Sequence, residues 1–174
     1  SFMNIFKAQI KKDIIDLSLD TIQNMKKSMN EVSWNCDIRT SYNLTDNILN
    51  VKELWPLKFS ILESIHEYML NNNKFFEGFI KKSWVNIYEK GFYQEFHNHK
   101  DEIAKYICGV VYFTPMSSSI EFGIEERIEH KPEVGDILIF NDDQLHRVLP
   151  HKDSDLRISL AFNYQKIDTW NGLK

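Results

Sequence analysis

The spacing of apolar residues changes near residue 83. Before it, Ile14, Leu17, Ile22 and Met25 fall at roughly helical intervals within 13–31, and 50–72 repeats the pattern more clearly. There Phe59, Leu62, Ile65, Tyr68 and Met69 form an i, i+3, i+4 stripe, which predicts an amphipathic helix. Pro56 suits its first turn, where a fixed φ and a missing N–H cost nothing. Between the two segments TSYNLTDNI is polar and turn-like, and NNKFFEGFIKKSW fits either a short strand or a loop. From residue 83 the period shortens to two. WVNIY (84–88), KYICGVVYF (105–113), SIEFG (119–123), GDILIF (135–140), HRVLP (146–150) and RISLAFNY (157–164) are short β-branched and aromatic runs bounded by turn residues. Six short strands without intervening helices predict an antiparallel sandwich or barrel and exclude a βαβ sheet. Pro132 and Gly135-Asp136 mark the turn before ILIF. The expected architecture is a single, mainly β domain: a mainly helical support over 1–82 packed on one sheet of a jelly-roll core over 83–166.

Composition narrows the classes of function. With 174 residues, 43% of them hydrophobic, the chain can bury one sizeable core. A net charge of -4 and a pI near 5.9 argue against a general nucleic-acid binder, which needs a basic surface to neutralise phosphates. Cys36 and Cys108 make no disulfide framework and no zinc spacing, so they read as buried reduced thiols. No apolar run approaches the roughly 18 residues of a membrane span, and the first residues lack the order of a signal peptide. The expected location is therefore cytoplasmic. The abundance of Asn, Lys and Ile suggests an AT-rich genome, as in a bacterium or its phage.

Candidate chemistry centres on EFHNHKDEI (95–103). In an extended strand residues i and i+2 share a face, so His97 and His99 can present both imidazoles to one ion. Alone, such a pair is as well explained by solvation or core packing. His146 lies 49 residues beyond His97 on another predicted strand, and Arg157 stands 11 residues beyond His146, opening Arg157-Ile158-Ser159. Buried without a ligand, Arg157 would need an acidic neighbour such as Asp153 or Asp155. Asn86 shares a strand face with Trp84 and Tyr88 and can line a pocket, or stand as a hydrogen-bonded buried amide. His66, His130 and His151 sit in helical or turn settings and are not assigned to metal. NDDQ (141–144) immediately precedes His146, where it can line a pocket mouth.

This ordered set resembles the non-haem iron(II), 2-oxoglutarate-dependent oxygenases. The likeness runs from about Trp84 to Tyr164, through WVNIYEKGFYQEFHNH, CGVVYF, IEF, PEVGDILIFNDDQLHRV and RISLAFN. It is closest in texture to small bacterial and phage members and looser to prolyl hydroxylases. The resemblance implies a double-stranded β-helix, iron(II) held by a facial triad, and 2-oxoglutarate and O2 as cosubstrates. Three metal positions stay open, two for the keto acid and one for oxygen. His97, His99 and His146 are implied as metal ligands and catalytic residues, and Arg157 and Ser159 as the anchor for the far carboxylate of 2-oxoglutarate. Tyr88 and Tyr112 resemble cosubstrate-binding tyrosines of prolyl-hydroxylase-like members, although as core aromatics they need no such role. The chain departs from the family where His99 stands in place of the usual Asp or Glu. Three neutral imidazoles leave iron its full dipositive charge. The other register, His99-Lys100-Asp101, restores an acid and makes His97 a supporting residue.

The implied activity is a hydroxylase or related oxygenase releasing succinate and CO2. Its primary substrate is left open between a peptide or protein residue and a small metabolite. A cupin-like metal jelly roll acting as an isomerase or hydrolase would keep the histidines but need no Arg157-Ile158-Ser159. A structural jelly roll would need neither. Phe75, Phe76 and Phe79 suit a lid or an oligomer contact.

Overall fold

The computed structural model describes residues 4–26, 30–32, 38–42, 45–101, 104–115, 119–152 and 155–167. Two helices form where the apolar period is helical. α1 (Lys12–Met25) buries Ile15, Ser18 and Ile22. α2 (Trp55–Asn71) has Pro56 in its first turn and buries Leu57, Ile61, Ile65, Tyr68 and Met69. Two stripe residues expected from apolar identity lie outside: Leu17 is 55% and Phe59 63% exposed. Each stands two residues, about 200° of helix, beyond a fully buried Ile15 or Leu57 and so faces away.

Eleven strands are seen among the described residues, in two antiparallel sheets. The larger sheet runs β1 (Phe6–Gln9), β9 (Asp136–Asn141), β6 (Tyr106–Tyr112), β11 (Arg157–Lys166), β4 (Gly78–Tyr88), β3 (Ile38–Thr40), β2 (Asn30–Val32). The smaller runs β5 (Gln94–His97), β10 (His146–Val148), β7 (Ile120–Phe122), β8 (Ile128–His130). All six period-two runs become strands, and the expected jelly roll forms. NNKFFEGFIKKSW resolves into a loop followed, from Gly78, by the first residues of the long strand β4. β1, β2 and β3 come from the half expected to be mainly helical and complete the larger sheet. β8 falls inside the acidic run GIEERIEH and is an exposed edge strand.

Alternation gives the larger sheet two unlike faces. Val85, Ile87, Val111, Ile137, Ile139, Ile158, Leu160 and Phe162 face the helices and form the main core with Ile22, Ile61 and Ile65. The opposite face looks into the barrel, and the register stacks it in rows. The deepest pairs Tyr88 with Arg157; the next holds Asn86, Ser159 and Tyr112. Then come Trp84, Ala161, Val110 and Leu138, and outermost Lys82, Asn163, Cys108 and Phe140. Gly109 allows this packing: a Cβ there would fall on the Phe162 ring and 2.7 Å from the Leu138 carbonyl oxygen. Cys108 is a buried free thiol whose pKa burial raises, as expected, and Cys36 lies outside the described residues. No described helix is long and apolar enough to cross a membrane.

Candidate metal centre

His97 and His146 face each other because their strands pair. β5 and β10 register His146 against His97, and an irregularity follows before Val148 meets Gln94. The imidazole nitrogens of His97, His99 and His146 come within 4.8 Å of one another. Ring centroids are 4.1 Å apart for His97 and His146, and 5.3 Å from each of these to His99. Two rings are oriented by backbone carbonyls: Nδ1 of His97 lies 2.8 Å from the Glu95 oxygen, and Nδ1 of His146 lies 2.9 Å from that of Gln144. With Nδ1–H donating to a carbonyl, Nε2 keeps its lone pair for an ion. His99 is held differently. Its backbone N–H donates to the Asp142 carbonyl at 2.9 Å, and its ring packs on Trp84 with centroids 5.7 Å apart.

Burial keeps all three imidazoles neutral near pH 7. It lowers the pKa of His97 against the pull of the Glu95 carbonyl. It takes His99 from 6.5 to about 4, with His97 adding like-charge repulsion. His146 is lowered well below its ordinary value, again by burial first and by the neighbouring histidines next. Neutral nitrogen donors suit a borderline divalent transition metal.

Across the chamber, on the larger sheet, Arg157 is 1% exposed. Its guanidinium carbon lies 5.2 Å from the Tyr88 ring centroid and 5.5 Å from that of Tyr112. Burial pushes the Tyr112 phenol up to about 12, with the Arg157 charge pulling the other way. Asn86 and Ser159 occupy the next row. The buried Asn86 Oδ1 accepts no hydrogen bond, so its amide is open to a ligand. Tyr88, Tyr112, Asn86, Arg157, Ser159 and all three histidines line one narrow cavity of about 40 Å³. The eight candidate site residues other than Asp101 are thus brought together. Asp101 is exposed, and its carboxylate accepts from the Ala104 N–H at 3.2 Å. Asp153 lies outside the described residues.

His66, His130 and His151 are not part of the group. His66 is exposed, His130 Nε2 is 3.1 Å from Asp136 Oδ2, and His151 is buried with its ring against the Asp155 carbonyl. NDDQ braces the site through the Asp142 backbone, while its acids line a separate surface cavity of about 540 Å³. Sequence reasoning missed Trp84 as the support of His99, and did not single out Lys82 and Asn163, the register pair one row beyond the chamber's lining. Period-two alternation carries the signal: Trp84, Asn86 and Tyr88 extend back to Lys82, and Arg157 and Ser159 extend on to Asn163.

No family profile and no curated protein sequence matches the chain. Solved structures do. A Pseudomonas putida prolyl-4-hydroxylase superposes with a TM-score of 0.73 at 12% identity, over 95% of this chain and 94% of that one. The α-ketoglutarate-dependent non-haem carbocyclase SnoK of nogalamycin biosynthesis gives 0.75 at 8%, over 95% and 81%. The viral collagen prolyl hydroxylase of Paramecium bursaria Chlorella virus-1, solved with 2-oxoglutarate, gives 0.68 at 14%, over 94% and 96%. At such identities the likeness is one of architecture, and the chain has the double-stranded β-helix fold of the 2-oxoglutarate- and iron(II)-dependent oxygenases.

Proposed function

We propose that this chain is an iron(II)- and 2-oxoglutarate-dependent oxygenase that hydroxylates a C–H bond, turning 2-oxoglutarate and O2 into succinate and CO2. The observation that carries the proposal is the pairing of three neutral, convergent imidazoles, two on the smaller sheet and one just past the end of β5, with a buried guanidinium on the larger sheet. His97, His99 and His146 hold the iron. Arg157 binds the far carboxylate of 2-oxoglutarate through its planar donor fork, between the faces of Tyr88 and Tyr112. Ser159 and Asn86 contribute a hydroxyl and an amide on the row between anchor and metal. His97 rather than Asp101 completes the set, because His97 stands beside His146 whereas Asp101 is exposed and bonded to its own loop.

The residues fit the cofactor in chemistry as well as place. Three imidazoles contribute no charge, so a dianionic cosubstrate would meet an undiminished dipositive metal and a cationic anchor in one water-poor chamber. Iron and 2-oxoglutarate, when bound, supply the oxidising power by activating O2. The chain's part is to hold both at fixed separation and to exclude water with Trp84, Val110, Phe140 and Ile120, which line the same cavity.

An anaerobic titration of metal-free protein with iron(II) and then 2-oxoglutarate tests this through the visible charge-transfer band of a chelated keto acid. The band should form in the wild type, vanish in His146→Ala, and need at least tenfold more cosubstrate in Arg157→Ala. Tight metal without a band would favour a cupin-like isomerase or hydrolase, and absence of metal binding a structural jelly roll.

A further inference from the structure

We infer that the outermost row of the barrel, Lys82 and Asn163, recognises the primary substrate as a carboxylate with an N–H donor on its α-carbon, as in a free amino acid or the C-terminal residue of a peptide. This rests on the oxygenase reading and names the substrate class of the same site. Asn163 is only 8% exposed, yet its Oδ1 accepts no hydrogen bond. A buried amide oxygen without a partner is destabilising, and a ligand donor would relieve that. Alternation aims Asn163 into the barrel, on the face that carries Arg157, Ser159 and Ala161, two residues beyond the last that lines the metal chamber.

Its register partner across β4 is Lys82. The half-buried Lys82 donates to the Tyr42 hydroxyl at 3.2 Å, forms no ion pair among the described residues, and has two further N–H donors. Directly opposed strand residues stand about 4.5–5.5 Å apart at Cβ. A carboxylate at Lys82 and an N–H at Asn163 suit one small molecule that carries both groups close together, as an α-amino acid does. The narrow cavity at the histidines does not have Lys82 or Asn163 in its lining, so a polar end held by this row stays outside it. Trp84, Val110 and Leu138 form the next row inward, and an apolar side chain passing them would point at the metal.

The test is calorimetric titration of the full chain, saturated with manganese(II) and 2-oxoglutarate, against leucine, N-acetylleucine and leucinamide. At least one acid should bind, with leucinamide at least tenfold weaker. Leucine alone would indicate a free amino acid, and N-acetylleucine alone a peptide C-terminus. Lys82→Met should erase the preference for acid over amide, and Asn163→Ala should weaken the acid about tenfold, a loss of about 1.4 kcal/mol. Asn163→Ser covers failure of the alanine variant to fold, and manganese and 2-oxoglutarate titrated in each variant report whether the inner site survives. If the loaded wild type binds no acid, or binds amide equally well, or both variants bind as the wild type does, the inference is overturned and the oxygenase reading stands. If manganese and 2-oxoglutarate themselves do not bind, that reading fails, and the same probes on metal-free protein decide the outer row by itself.

Discussion

His97 and His146 each have a carbonyl to fix their tautomer, whereas His99 is set by ring packing on Trp84. Trp84→Ala should therefore weaken metal binding about tenfold or more, the usual scale for losing a ligand's support, while Trp84→Phe retains most of it. Competition with a metal-sensitive dye would measure both. Neutral burial also fixes a pH response of the metal-free protein. His99 has a folded pKa of about 4 against an ordinary 6.5, so below 6.5 the unfolded chain binds more protons than the folded one. Metal-free stability should fall as pH drops from about 6.5 towards 4, and His99→Gln should flatten that slope in urea unfolding. At Gly109, the clash of a Cβ with Phe162 and the Leu138 carbonyl predicts that Gly109→Ala loses about 2 kcal/mol or more, read from the same denaturation curves.

The long strands were legible because each carries its own alternation over five or more residues, with a core on one side and a chamber on the other. β1, β2, β3, β5 and β8 were not: at three or four residues they lack the bounded β-branched or aromatic runs that marked the equally short β7 and β10, and they exist through their partners' registers. The site divides along the same line. His97, His99, His146 and Arg157 stood out by residue type and order, whereas Asn163 and Lys82 are ordinary polar residues until pairing sets them side by side. Asp136 shows how the short pieces are tied in. Fully buried, it meets the Gln9 amide of β1, His130 of β8 at 3.1 Å and the Glu133 N–H at 2.9 Å. Asp136→Asn should cost about 1.5–3 kcal/mol, the scale of a hydrogen bond to a charged group. Hydrogen exchange should place the loss first in β1 and β8.

Across the molecule, the smaller sheet and the segment just after β5 carry the three histidines proposed to hold metal, and the larger sheet carries Arg157, the proposed carboxylate anchor. A metal that binds only this assembled arrangement stabilises the whole fold. At one hundred times its dissociation constant the gain is about 2.7 kcal/mol, or several degrees in Tm for a chain of this size. A thermal scan with and without manganese(II) should show that shift in the wild type and lose it in His146→Ala. The pairing of β4 with β11 has a further consequence, in time. It joins Tyr88 to Arg157 and Gly78 to Lys166, so the central strand of the larger sheet follows all the other described strands in chain order. Such long-range closure is intrinsically slow. A nascent chain would bring His97 and His99 out of the ribosome well before Arg157, but His146 only 11 residues ahead of it, so the third imidazole and the guanidinium that faces it emerge almost together.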